Sequence, residues 1–256
     1  MPTRHAFTLV ELLVSIAVIG VLMGVLMPTL AGIRGAGRSV QCLSNLRQMA
    51  IAAHKYGLDW NRYPTAIRYE QVGGVMHTIA WDWVTTFDGE ELISPGPLWG
   101  MTDSPDRVMQ CPDYHGPSNF GADPYTGYNY NTSYIGGEAM SVSTGWAIVR
   151  QGATPVQCQR TTTCAIFGCG GFAGGANKFM RGPSSPNGHP LGVVYAGGQA
   201  FRHHGHCTNV AYLDGHVASS DRAHKGEHAS EGLLEEIMGY PANGFLSDND
   251  ETYQPR

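Results

Sequence analysis

Four histidines and an aspartate crowd into fourteen positions of this 256-residue chain: His203, His204, His206, Asp214 and His216. Imidazoles and a carboxylate together can bind zinc or a related ion. If the stretch is extended, alternation puts His204 and His206 on one face of a strand, with Asp214 and His216 on one face of its partner. Those four are the candidate ligands. The competing reading is structural: Asp214 caps a turn, His204 bonds nearby backbone, and the other histidines meet solvent. Calcium would call on Asp214, Asp221 and the acids of the C-terminal tail, but no loop here has a calcium-binding spacing. The structural reading requires no cofactor; zinc or calcium would be the cofactor only if a ligand set forms.

Cysteine supplies the second chemistry. Cys42, Cys111, Cys158, Cys164, Cys169 and Cys207 permit fifteen complete disulfide pairings if the chain leaves the cytoplasm. Cys42 with Cys111 is the first choice, a bridge from helix to head. Cys158, Cys164 and Cys169, within a short stretch, could supply a second bridge, with Cys207 as a further partner. A cysteine metal site is the alternative. No Cys-His-Asn arrangement, G-x-S-x-G elbow, P-loop or H-E-x-x-H is legible, so the chain reads as non-enzymatic. A net charge of −5 and a pI near 6.1 leave no electrostatic footprint for nucleic acid. Trp60, Trp81, Trp83 and Trp99 could form a carbohydrate-stacking surface or a small aromatic core.

The elements that must position these groups follow from local pattern. Asn209 to Leu213 alternates, meets Asp214-Gly215, and resumes at Val217, which predicts a tight β-hairpin with a type I′ turn. Further strands are expected at Val75–Trp83, Trp146–Val149, Cys164–Phe167, Val193–Tyr195 and Thr208–Leu213. Long irregular stretches fall at Asp103–Tyr134 and Gly170–Pro190. With 34 Gly, 15 Pro and only 14 % charged residues, residues 58–256 suit a loop-rich antiparallel β head. A short helix is expected at Ser230–Met238, followed over 240–256 by an acidic tail with the composition of a disordered terminus.

The N-terminal end has a different solvent. Leu12 to Ile33 contains no Asp, Glu, Lys or Arg over 22 residues, enough for a helix to cross a bilayer core of about 30 Å. A cut after Ala6 would precede this run and leave it on the mature chain, as a secretory signal would not. The same cut would create an α-amine at Phe7, one turn from Glu11. A carboxylate inside an apolar span calls for such a partner, on its own chain or a neighbour's, unless it snorkels to the membrane surface. Gly20 and Gly24 form a G-x-x-x-G pair that lets helices approach closely in lipid, and Pro28 removes a backbone donor. Beyond the span, Val40, Leu43, Leu46, Ala50, Ala53 and Tyr56 recur at helical steps, with Arg38, Arg47 and Lys55 off that stripe. The chain therefore divides into a leader 1–6, a helix 7–57 with its transmembrane segment at about 9–31, and a head 58–256. Arg34, Arg38 and Arg47 beyond the span outnumber Arg4 before it, so the positive-inside rule does not choose the orientation.

Met1 to Leu30 resembles the type IV prepilin signature: a short basic leader, a small residue, then Phe7-Thr8-Leu9-Val10-Glu11 and an apolar helix. The resemblance implies cleavage before Phe7 and its N-methylation by a prepilin peptidase of the inner membrane. It also implies a single-pass inner-membrane anchor, an extracytoplasmic head, and assembly with other pilin-like subunits into a pilus or type II secretion pseudopilus. Gly20 and Pro28 match the helix-weakening positions of pilin helices; Ala6 departs from the usual Gly. His204, nine residues, then Asp214-Gly215 is similar to the C-terminal His-x9-Asp-Gly motif of a planctomycete-type prepilin-like family. Cys42, Asn45-Leu46, Arg47-Gln48, Tyr56, Asp59, Arg62, Pro64 and Cys111-Pro112 fit the same family. The expected fold is α+β, a long pilin-like helix packed on an antiparallel β head. The runner-up function is a membrane-tethered binding or metal-binding protein that uses the prepilin export route.

Overall fold

The computed structural model describes residues 8–101, 108–117, 123–140, 151–184, 197–227, 229, 231–240 and 242–256. One helix, α1 (Leu9–Trp60), runs for 52 residues, about 78 Å at 1.5 Å per residue. Thr8 caps it, its last residue Trp60 lies three beyond the expected boundary, and Asn61 ends it in the left-handed conformation. The helix passes through Pro28 as one element. Gly20, Gly24 and Gly37 have no atom of the rest of the chain near their Cβ positions, so the weak residues there lie on open surface.

The two halves of α1 meet different surroundings. From Leu9 to Leu30 the large apolar side chains are exposed, several by more than half of their area. Burial begins at Gly35 and then takes Cys42, Asn45, Leu46, Met49, Ala50, Ala52 and Ala53. The buried stripe is rotated from the expected one: Val40 is 67 % exposed, and polar Asn45 lies inside. Asn45 is tolerated there because its Nδ2 donates to the Tyr128 hydroxyl at 3.1 Å and to the Gln110 carbonyl at 3.3 Å.

Among the described residues the head holds two sheets. Strands β1 (Ile67–Val72), β2 (Val75–Ala80), β3 (Trp83–Phe87) and β4 (Glu91–Pro95) form an antiparallel meander, with β6 (Glu138–Met140) parallel to β1. The expected single strand over Val75–Trp83 is thus divided, because the chain turns at Trp81-Asp82. In the second sheet β7 (Ala165–Gly171) is central. It pairs with β5 (Tyr128–Asn131) on one side and β10 (Thr208–Tyr212) on the other, while β9 (Gly198–Ala200) continues from its C-terminal end. Strand β8 (Phe179–Met180) runs parallel to β5, β11 (Val217–Ser220) closes the hairpin with β10, and β12 (Asn243–Gly244) pairs with β9. Strand β5 lies in a region expected to be irregular. The strands expected at Trp146–Val149 and Val193–Tyr195 fall outside the described residues. The short C-terminal helix is Glu231–Met238.

One core cluster joins the stalk residues Leu46 and Met49 to Trp81, Ile135 and Phe167 of the head. Trp81, Trp83 and Trp99 are buried and belong to this core, and Trp60 is exposed at the helix end. Inside it, Lys178 Nζ lies 2.9 Å from Asp82 Oδ1 and 2.8 Å from Asp123 Oδ2, with all three side chains at most 5 % exposed.

The tail differs from the expectation of disorder. Phe245 and Tyr253 are fully buried, and Asp250 is 4 % exposed. Asn131 Nδ2 donates to the Tyr253 carbonyl at 2.8 Å, and Asp250 accepts from the Ser184 amide at 2.8 Å. Sparse apolar anchors between polar residues fix this tail, a pattern that average composition conceals.

Candidate functional site

The hairpin singled out by its histidines lies against the stalk. Asn209, on β10, donates to the Ser39 carbonyl at 3.2 Å and its hydroxyl at 3.1 Å. Ser219, across the hairpin, donates to Asn209 Oδ1 at 2.6 Å and holds that amide in place. The hairpin tip is not the expected type I′ turn. Gly215 N–H bonds the Tyr212 carbonyl at 2.9 Å, and Tyr212 N–H bonds the His216 carbonyl at 2.9 Å. Gly215 has φ +86°, whereas Asp214 is not among the positive-φ residues, so this is a three-residue loop with glycine at its left-handed position.

The expected histidine ligand set is not brought together. His203 to Cys207 is a turn closed by a two-residue bridge, so strand alternation does not apply to it. His204 lies on the stalk, where a Cβ added to Gly35 would come 3.2 Å from its own Cβ. His206 is in the left-handed conformation at φ 58° and is exposed. Asp214 and His216 do meet: Asp214 Oδ1 accepts the His216 amide at 3.0 Å and lies 2.5 Å from Nδ1. Slight desolvation would raise the Asp214 carboxyl, but the His216 amide and ring outweigh it and hold it below its ordinary value. The tail carboxylates have separate partners, with Asp248 Oδ2 at 2.8 Å from His224 Nδ1. Asp214, Asp221 and the tail acids therefore do not gather into a calcium site among the described residues.

The site that does form uses residues from four separate elements. Cys42 comes from α1, Cys111 from the loop before β5, Cys169 from β7, and His203 from the turn leading into β10. All four are buried, and their ligand atoms lie within 4.8 Å of one another. Cys42 Sγ is 3.5 Å from Cys169 Sγ. His203 Nε2 is 3.1 Å from Cys169 Sγ and 3.8 Å from Cys111 Sγ. The other ring nitrogen, Nδ1, lies 2.5 Å from Asp113 Oδ2. Arg38, reaching from the stalk, pairs with the second Asp113 oxygen.

Hydrogen bonds from Cys169 and Cys42 hold the Cys111 thiol well below the usual cysteine range despite burial, with His203 and Arg202 adding attraction. Burial instead pushes Cys169 well up, and its neighbours' negative sulfurs add to that. Burial opposes charge on His203, but its bonds to Cys111 and Cys42 prevail and raise the ring to about 10. None of these sulfurs is open to a substrate, since Cys42, Cys111 and Cys169 are each 0 % exposed.

All six cysteines are free thiols, so the expected Cys42–Cys111 bridge is not present. A third thiol and an imidazole share the pocket with that pair. Cys169 is thereby separated from Cys158 and Cys164, the partners expected from spacing. Cys164 Sγ donates to the Tyr253 carbonyl at 3.0 Å, Cys158 packs near the Thr154 carbonyl, and Cys207 is half-buried. In the sequence His203 belongs to the histidine cluster and the three cysteines are bridge or metal candidates, but nothing in their spacing joins the four.

At the far end of the stalk, Glu11 closes a capping box. Its Oε2 accepts the Thr8 amide at 2.8 Å and the Thr8 hydroxyl at 2.7 Å, and the Glu11 amide donates to Thr8 Oγ1 at 3.3 Å. Its second oxygen has no hydrogen bond among the described residues. Ala6 and Phe7, the expected processing site, lie outside those residues. Residues 1–27 match the family described as the prokaryotic N-terminal methylation motif. Residues 32–86 match a second family, described as a protein of unknown function (DUF1559). No curated protein and no solved structure matches the chain.

Proposed function

Because this chain is a prepilin-like protein, we propose that it is a non-enzymatic structural subunit of a type IV pilus-like filament or a type II secretion pseudopilus. The observation that carries this reading is the divided stalk. The apolar window of α1 that could span a membrane is 0 % buried by its own chain, while the second half of the same helix is built into the head. The sixteen exposed large apolar side chains from Leu9 to Ile33 need either lipid or other apolar helices around them. An anchor that later joins a helical bundle meets both needs in turn.

In this reading prepilin peptidase cuts after Ala6, and the new Phe7 amine of one subunit meets the Glu11 carboxylate of its neighbour. Thr8 occupies one oxygen of Glu11 and holds the carboxylate at the helix start; the other oxygen is left for the incoming amine. Gly20 and Gly24 present a flat helix face for close packing between stalks. The head stands outside the inner membrane and is displayed on the filament surface. Mass spectrometry of the mature N-terminus from native membranes tests the reading. A chain beginning at N-methylated Phe7 supports it, and an intact Met1 or a cut beyond the apolar run removes it. Glu11→Ala should stop filament assembly and leave the melting of the head unchanged.

A further inference from the structure

We propose that Cys42, Cys111, Cys169 and His203 hold one zinc ion that clamps the stalk helix to the head. The distances fit the ion. Tetrahedral zinc takes sulfur at about 2.3 Å and nitrogen at about 2.0–2.1 Å, which keeps the ligand atoms roughly 3.5–3.8 Å apart. Two of the pocket's separations, 3.5 and 3.8 Å, match that range, and a third of 3.1 Å is slightly shorter. All four ligand atoms lie within 4.8 Å of one another, so small side-chain shifts would close them on an ion. Three thiolates and one imidazole, closed on all sides, form the donor set of structural zinc; an oxygen-preferring cation would find no ligand here.

The surroundings fit as well. A metal-binding histidine ordinarily has its second nitrogen fixed by a carboxylate, which aims the first at the ion. Asp113 does this for His203 at 2.5 Å, and Arg38 holds Asp113 from the opposite side. Charge closes without remainder. Three thiolates and Asp113 are balanced by a divalent ion, Arg38, and Arg202, whose attraction reaches Cys111 and whose guanidinium stacks over the Tyr114 ring at 4.5 Å. As zinc binds, protons on the sulfurs and on Nε2 pass to solvent.

A disulfide explains less. It would join two sulfurs and leave the third beside an imidazole that Asp113 has already oriented. A buried nucleophile would need a route to its substrate, and these sulfurs have none. The ion instead ties Cys42, two turns past Gly35 on the stalk, to three elements of the head. It does the work expected of a helix-to-head disulfide without an oxidant.

The test uses the full-length chain purified in detergent without chelator, with elemental analysis and zinc K-edge absorption. The expected result is about one zinc per chain in a shell of three sulfurs at ~2.3 Å and one nitrogen at ~2.0–2.1 Å. Cys169→Ser and His203→Ala should lose the metal, and Cys207→Ser should keep it. The wild-type spectrum decides the matter even if the variants fail to fold. The proposal is overturned by a metal-free chain, by a disulfide among Cys42, Cys111 and Cys169, by a zinc shell of oxygen ligands, or by full zinc retention in folded Cys169→Ser.

Discussion

Leucine at position 35 tests whether the hairpin histidine works as a packing element. Gly35 is buried on α1, and a Cβ there would lie 3.2, 3.3 and 3.4 Å from His204 Cβ, Nδ1 and Cγ. Relaxed carbon contacts are about 3.5–4.0 Å, so His204 must yield by a few tenths of an ångström. For Gly35→Ala that strain opposes a helix-propensity gain of up to ~1 kcal/mol. The exposed His204 ring can swing aside, but its Cβ moves only with the backbone. Alanine should therefore be near neutral only if the His203–Cys207 turn gives by those few tenths. Leucine is different. Helical rotamers send its branch toward the preceding turn, where His204 Cε1 already lies 3.9 Å from the Cβ position of Gly32. Overpacking costs about 1–3 kcal/mol, and propensity returns under ~1 kcal/mol of it. The net loss should be about 1–2 kcal/mol, and it should shrink when His204→Ala removes the ring, although the Cβ at 3.2 Å stays in place. Urea unfolding of the full chain in detergent, followed by tryptophan fluorescence, reads this out, because stalk residues share a core with Trp81. An equal loss with and without His204 would refute the packing role.

Lys178→Met should destabilise the head by about 3–5 kcal/mol, because it leaves Asp82 and Asp123 facing each other without their buried cation. Chemical denaturation measures it, and a loss below ~1 kcal/mol would mean that the carboxylates find other relief. Cys158 should resist alkylation at neutral pH, since burial pushes its thiol up to about 11 despite the pull of Arg256. Only the thiolate reacts, so the rate should climb about tenfold per pH unit until pH nears that value. Peptide mapping after timed alkylation checks this, and a rate that is flat between pH 8 and 10 would contradict it.

What the sequence determined by itself is local. The charge-free run from Leu12 to Ile33 fixes a helix that needs lipid or other helices, whereas its start at Leu9, capped by Thr8 and Glu11, differs from the expected start at residue 7. The alternation before Asp214-Gly215 fixes a hairpin, because strand and helix periods are set by neighbours two to four residues apart. The turn type was missed, since loop length depends on which residues pair across the strands. Asn45 was hidden by its polarity, and the tail by its average composition. Tertiary structure alone decided the four-residue sulfur and imidazole pocket. Its members meet across 127, 92 and 34 residues of chain. No local period links such positions; they converge because α1 packs on the sheet that carries Cys169 and brings its own cysteine to that crossing.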